Sequence, residues 1–283
     1  MILLEGKKVA LSIEKELKEK IAHLSSRKPG LAFIRVGDNP ASKVYIGMKK
    51  KKCSEVGIQS FDYELPSHTS ADALIELIDR LNTLEEVDGI LLQLPLPEHL
   101  NPSLFLERIH PEKDVDGFHP QNMGKLLLGE LDGLIPCTPK GVHRLLLSYQ
   151  VPIAGKHVVI VGRSNIVGKP LAALLMQKHP TCNATVTVVH SHSNHLEHIC
   201  KQADILIAAL GSAHFITPSM VKPGAAVVDV GINKIGSTLV GDVDFAKVAP
   251  LCSYITPVPG GVGPMTIALL LENTFHIHQK KYR

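Results

Sequence analysis

His157-Val-Val-Ile-Val-Gly-Arg-Ser-Asn-Ile-Val-Gly-Lys-Pro170 decides the fold. An apolar, β-branched run ends at Gly162, and Gly168 follows where a helix can begin. A glycine turn at such a strand-to-helix junction lets backbone N–H groups and the helix N-terminus face a pyrophosphate. Gly162 and Gly168 fit that task. The spacing is not the full G-x-G-x-x-G, so an ordinary tight turn between strand and helix is the alternative reading. The strand before it and the helix after it favour a dinucleotide.

The next strand, Thr185–His190, runs into His190-Ser-His-Ser193. An NAD site usually offers a carboxylate here to the ribose 2′-hydroxyl, and none is present. Arg163 in the preceding turn gives charge-assisted hydrogen bonds to phosphate, and Ser191 adds a hydroxyl. A pocket for the 2′-phosphate of NADP is expected; the plainer alternative is a solvated loop arginine. His190, His192, His195 and His198 suggest a metal, but no cysteine or carboxylate at ligand spacing completes a site. No metal is expected.

Working outward, strand-like and helix-like segments alternate. Leu31–Val36 reads as a buried strand. Asn39 caps a helix with Pro40 at its first position, and Gly57 closes it. Ser70–Leu81 has helical periodicity, and Gly89–Leu94 is an apolar strand broken by Pro95 and Pro97. The stretch from Pro111 to Pro139 reads as loops with short helices, and Thr138-Pro139 opens a helix to about Tyr149. After Gly168 come a helix, the strands Thr185–His190, Ile205–Ala209 and Ala225–Val230, the segment Ile255–Gly263, and a helix from Pro264 to about His278. The alternation predicts an α/β protein of two domains with parallel sheets, the second of Rossmann type.

Candidate chemistry in the first half is sparse but specific. Tyr45 and Lys49 lie four residues apart and share one helical face. Lys49 also begins a run of four lysines, and such runs are usually solvated. Gln93 ends a strand, where α/β ligands bind, or it satisfies loop backbone. Lys113-Asp-Val-Asp-Gly-Phe118 sets two acids in one turn. Asp116 recognises a donor-rich heterocycle or shapes the turn through its own backbone bonds. Pro257-Val-Pro-Gly-Gly-Val-Gly-Pro-Met265 is stiff in its prolines and unusual in its backbone angles, as a loop that closely approaches something must be.

Composition bounds the rest. The chain has 283 residues, 45% of them hydrophobic, with a formal charge of +3. That charge is too small to argue for nucleic acid or membrane binding. Five cysteines without metal or redox spacing read as reduced thiols of a cytoplasmic protein. No secretory signal or membrane-span run is found.

Together these segments resemble the bifunctional methylenetetrahydrofolate dehydrogenase/methenyltetrahydrofolate cyclohydrolase family. The resemblance rests on Val36-Gly-Asp-Asn-Pro-Ala-Ser42, Tyr45 with Lys49, Gln93-Leu-Pro-Leu-Pro97, Lys113-Asp-Val-Asp-Gly117, Pro136-Cys-Thr-Pro139, Gly162-Arg-Ser164 with Gly168, and Pro257 through Thr266. It implies that Tyr45 stacks on the folate ring system, Lys49 is the acid-base residue, Gln93 orients it and Asp116 hydrogen-bonds the pterin. It implies substrate contacts from Pro259, Gly260, Gly261, Val262 and Gly263. Cofactor contacts fall on Gly162, Arg163, Ser164, Val167, Gly168, Ser191 and Ile232, with Gly231-Ile-Asn233 near the nicotinamide. After Ala209-Leu-Gly211 this chain has Ser212-Ala213, where many relatives carry a basic residue and a proline.

The resemblance also implies a folate-binding catalytic domain over residues 1–140, an NADP-binding domain over 141–263, a final helix, 264–283, packed back on the first domain, and an active-site cleft between the two. The expected reactions are oxidation of 5,10-methylenetetrahydrofolate with NADP and hydrolysis of the product to 10-formyltetrahydrofolate, in one-carbon metabolism that feeds purine biosynthesis. A homodimer is expected. The competing readings are a dehydrogenase lacking the hydrolytic step, another two-domain NADP oxidoreductase acting on a hydroxy or amino acid, and a non-enzymatic nucleotide sensor.

Overall fold

The computed structural model of the chain describes residues 1–130 and 132–282. It opens with a short strand, β1 (Ile2–Leu3), and helix α1 (Gly6–Ala22). Then follow β2 (Gly30–Val36), α2 (Pro40–Val56), β3 (Gln59–Leu65), α3 (Ala71–Thr83) and β4 (Gly89–Leu92). Three helices come next: α4 (Pro102–Arg108), α5 (Pro120–Leu128) and α6 (Cys137–Ser148). The second series is β5 (His157–Val161), α7 (Gly168–Leu175), β6 (Thr185–Val189), α8 (Leu196–Cys200), β7 (Ile205–Ala208) and β8 (Ala226–Asp229). A hairpin of β9 (Asn233–Ile235) and β10 (Thr238–Val240), the short helix α9 (Phe245–Val248), β11 (Tyr254–Ile255) and α10 (Val262–Lys281) complete it.

Two compact units result. One gathers Met1–Leu11, Leu126–Glu130 and Thr138–Thr266, the other Ser12–Lys125, 132–137 and 267–282. The first unit contains a six-stranded sheet in the order β1-β11-β8-β7-β5-β6, parallel at every pairing. The second contains a three-stranded parallel sheet in the order β3-β2-β4. All residues of β2, β4, β7 and β8 are buried. This is what parallel strands covered on both faces require.

Several elements lie outside the segments read from the sequence, β3 and α1 among them. Strand β3 alternates exposed and half-buried residues because it is a sheet edge, so it has no apolar run to betray it. Helix α1 sits in a lysine-rich stretch and buries only Ala10, Ile13, Leu17 and Ile21 of its hydrophobic residues. The domain expectation also differs at its start. Ile2 and Leu3 pair with Tyr254 and Ile255, so the first residues belong to the unit of the six-stranded sheet, not to that of the three-stranded sheet. The final helix starts at Val262, two residues early, and ends at Lys281.

The last turns of α10 are fixed within the second unit by Asp88, whose side chain is fully buried. Its carboxylate accepts hydrogen bonds from Arg27 through both terminal nitrogens, each at 2.8 Å, and from Gly30 N at 2.8 Å. Lys281 stands 3.1 Å away. His278 Nδ1 lies 3.1 Å from Asp88 Oδ2 and its Nε2 lies 3.0 Å from Ser26 Oγ. Burial lowers the His278 pKa against the pull of Asp88, and Nδ1 must donate because the carboxylate can only accept. Arg27 and the backbone hydrogen bond of Gly30 outweigh the burial of Asp88 and keep its carboxyl below the usual range.

Candidate active site

Helix α2 is bounded as its sequence dictates. Asn39 Oδ1 accepts from Ser42 N at 3.1 Å, Pro40 opens the first turn, and Gly57 closes it with φ 93° and its N–H on Cys53 O. Its buried positions are Ser42, Ile46, Lys49, Cys53 and Val56, one stripe at helical spacing. Lys49 occupies that stripe and is only 9% exposed. The other lysines of the run face elsewhere. Lys50 pairs with Asp62 at 2.5 Å, Lys52 with Glu14 and Glu55 at 2.8 Å each, and Lys51 is exposed. Register on the helix thus separates one buried amine from three solvated ones.

Lys49 Nζ donates to Gln93 Oε1 at 3.1 Å, and Gln93 Nε2 donates to Leu94 O at 2.7 Å. The second bond fixes the amide so that its oxygen faces the amine. Gln93 directly follows β4, with its N–H on Ile34 O at 2.9 Å and a cis Leu94-Pro95 bond just beyond. Tyr45 is one turn before Lys49, half-buried, and burial raises its hydroxyl pKa.

The turn at Lys113–Gly117 divides its labour. Lys113 Nζ donates to Leu81 O and Leu84 O at the end of α3, and burial lowers its pKa to about 8. Asp114 shapes the turn, accepting from Gly117 N at 3.1 Å, His119 N at 2.8 Å and Asn122 Nδ2 at 3.0 Å. Asp116 is left without a hydrogen-bond partner among the described residues. Ile90 N donates to Lys113 O at 2.8 Å, which lays this segment beside β4 and brings Asp116 within the electrostatic reach of Lys49. Burial pushes the Asp116 carboxyl up to about 6, with Lys49 pulling it down and Asp114 adding to the rise. Asn273 of α10 donates to Val115 O at 2.9 Å and Ile135 O at 3.3 Å, holding the turn from behind. Sequence reading assigned no separate role to Asp114, one of the two acids of the turn, and gave no signal for Asn273.

In the other unit, Gly162 follows β5 with φ 129°, and a side chain there would run into Ala209 O. A side chain at Gly168 would run into Gly162 O. Both glycines are therefore required by backbone approach at the head of α7. Ser164 Oγ accepts from Val167 N at 3.1 Å and Gly168 N at 3.4 Å. Arg163 and Ser191 are exposed, and after burial itself the Arg163 charge is the main influence lowering the His190 pKa. Among the described residues no group of three metal-ligating side chains forms; His190 Nδ1 accepts from His192 N at 3.2 Å. The Pro259–Gly263 segment turns through a cis Val258-Pro259 bond and Gly260 at φ 104°. Gly260 O accepts from Lys7 N at 2.9 Å, and a Cβ on Gly263 would meet exposed Ile232 at 3.6 Å.

The raised carboxyl makes a prediction. The folded state holds the Asp116 proton more tightly between 3.8 and about 6 than the unfolded chain does. The associated stability is full below 3.8 and is lost as pH rises through about 6. A carboxyl NMR titration should find a midpoint near 6 that Asp116→Asn deletes, together with that decline in denaturation midpoint. A midpoint at the ordinary 3.8 would contradict this.

The family model for the catalytic domain of tetrahydrofolate dehydrogenase/cyclohydrolase matches residues 4–116, and that for its NAD(P)-binding domain matches residues 136–282. The bifunctional protein FolD of Chlamydia pneumoniae is 55% identical over 284 residues, covering 98% of this chain and 99% of its own. The crystal structure of the FolD methylenetetrahydrofolate dehydrogenase/cyclohydrolase of Campylobacter jejuni superposes with a TM-score of 0.96 at 49% identity, covering 99% of each chain. The Trypanosoma brucei enzyme, solved with NADP and an inhibitor, gives a TM-score of 0.94 at 38% identity, covering 100% of this chain and 99% of that one. With both halves of the chain matched in order, it belongs to the tetrahydrofolate dehydrogenase/cyclohydrolase family.

Proposed function

We infer that the chain is a bifunctional enzyme that oxidises 5,10-methylenetetrahydrofolate with NADP and hydrolyses the resulting 5,10-methenyltetrahydrofolate to 10-formyltetrahydrofolate. The observation that carries the hydrolytic half is the Lys49 amine, buried on α2 and bonded to Gln93 with Asp116 close by. An acid-base group must be shielded from bulk water yet free to exchange a proton with substrate.

The residues present fit NADP. Gly162 and Gly168 leave a cradle that any side chain would fill, at the start of α7. The end of β6 offers His190 and Ser191 and no carboxylate, with the exposed Arg163 guanidinium available for a 2′-phosphate. When bound, NADP supplies the hydride acceptor. The protein's own task in that step is alignment: Tyr45 stacks on the folate ring, and the Asp116 carboxylate accepts from pterin N–H groups. The Pro259–Gly263 loop and Ile232 line the substrate and cofactor.

In the second step water adds to the methenyl carbon. Lys49 takes a proton from that water, and its ammonium returns one to the ring nitrogen that leaves as the ring opens. The new hydroxyl loses its proton as the formyl carbonyl forms, so one proton is released overall. Gln93 Oε1 holds the amine on line throughout, and its own amide is fixed by Leu94 O.

We further propose a cytoplasmic homodimer supplying formyl groups for purine biosynthesis. Five free, buried cysteines support a reducing compartment, and no helix among the described residues is long and apolar enough to cross a membrane. Exposed Val188 on the edge strand β6 and exposed Ile235 and Leu239 on the β9–β10 hairpin support a covered surface on the dinucleotide unit.

Three measurements test this reading. Lys49→Met should lower methenyl-folate hydrolysis by about 10²-fold or more, the size of an acid-base contribution, with an unchanged circular dichroism spectrum. Wild-type hydrolysis by that variant would remove Lys49 from the mechanism. Arg163→Ala should raise KM for NADP by roughly tenfold, the value of one charge-assisted hydrogen bond, and leave KM for NAD where it was. Light scattering of the purified protein should give twice the chain mass; a single chain mass would sink the dimer.

A further inference from the structure

We infer that Asp242, a residue outside the phosphate loop and the folate pocket, is a positioning residue for the nicotinamide-facing side of the dinucleotide site. The inference rests on the NADP reading above. Three consecutive peptide N–H groups converge on its carboxylate. Leu210 N and Gly211 N donate to Oδ2 at 2.7 and 2.9 Å, and Ser212 N donates to Oδ1 at 2.9 Å. Asn233 Nδ2 donates to the same Oδ1 at 2.8 Å. Asp242 is fully buried, and among the described residues these four donors satisfy its side-chain oxygens.

A curl of successive N–H groups is a ready anion site, and in many folds it holds a phosphate. Here the chain's own carboxylate fills it. The loop after β7 is thereby held in one shape before any ligand arrives. The same carboxylate reaches the loop after β8, because a side chain at Gly231 would strike it. A second buried acid, Asp229 at the end of β8, completes the brace. Its Oδ1 accepts from Gly231 N at 3.0 Å and Asp242 N at 2.9 Å, and its Oδ2 accepts from Val243 N at 2.9 Å. Asp229 N donates to Thr256 Oγ1 at 2.7 Å. Three loops, at 210–212, 231–233 and 241–243, are so tied to one pair of carboxylates.

Sheet order says which end of the cofactor these loops meet. The strands run β8-β7-β5-β6, and the chain leaves β5 for β6 on one side and returns to β7 on the other. That reversal makes the carboxyl end of β5 the crevice in which a dinucleotide lies. The glycine loop after β5 takes the pyrophosphate, and the 2′-phosphate reading puts the adenosine half over β6. The other half must lie over the ends of β7 and β8, where the braced loops are. Hydride transfer depends steeply on alignment, so a loop held by Asp242 governs rate more than adenosine-side affinity.

The test compares two activities of one protein. Asp242→Asn places an amide N–H₂ among N–H donors and should loosen the loops. NADP-dependent oxidation of methylenetetrahydrofolate should fall in kcat by about 10–100-fold, the span of lost alignment and one unpaired donor. Cofactor-free hydrolysis of methenyltetrahydrofolate, and the Kd of 2′-phospho-ADP-ribose, which lacks the nicotinamide, should stay within about twofold of wild type. Should that variant fail to fold, Asp242→Glu, which keeps the charge but shifts the carboxylate away from Leu210, Gly211 and Ser212, should give the same split. In whichever variant folds, equal loss of both activities, or loss of neither, would overturn the role. Absence of NADP-dependent turnover in the wild type would instead overturn the NADP reading itself.

Discussion

Parallel strands cannot be joined by tight turns, and this constraint orders the whole molecule. Each crossover lays a helix on a sheet face, so both faces are sealed and only the strand ends stay open to polar chemistry. The sealed faces account for the unbroken burial of β2, β4, β7 and β8. The open ends account for the positions of Gln93 after β4, Gly162 after β5, Ser191 after β6 and Leu210 after β7. The candidate residues of each unit gather at one edge of its sheet because the connections leave them nowhere else.

Within that frame, small differences in register decide chemistry. Four lysines in a row are nearly equivalent as a composition, but a helix turns about 100° per residue and separates them. One lands in the stripe of Ser42, Ile46, Cys53 and Val56, and its neighbours land on acids or in water. The same logic splits Asp114 from Asp116. Two residues apart, one spends its oxygens on its own turn and on Asn122, and the other has no hydrogen-bond partner among the described residues.

Much of the fold was legible because its signals are local. Asn39, Pro40 and Gly57 bounded α2 correctly, and Ser70 capped α3 through Ala73 N at 3.2 Å. The strand of His157–Val161 and its glycine turn announced the dinucleotide half. What escaped depends on tertiary neighbours. Strand β3 is recognisable only as the edge partner of β2, and β1 only through β11, some 250 residues away. Of the candidate site, spacing alone paired Tyr45 with Lys49, but choosing Lys49 from its run needed the family resemblance. The brace of Asp229 and Asp242 joins loops far apart in the chain and leaves no short motif.

The route of the chain also has a consequence for its making. The six-stranded sheet needs Ile2 and Leu3 beside Tyr254 and Ile255, and the buried charge at Asp88 needs His278 and Lys281. A ribosome delivers those partners only after all the intervening residues have been made. Neither unit can therefore seal as it emerges, and nascent strands with bare edges must wait, exposed to other chains, for those distant segments to arrive. Cotranslational shelter by a chaperone matters more to such a molecule than to one whose domains follow one another along the polypeptide.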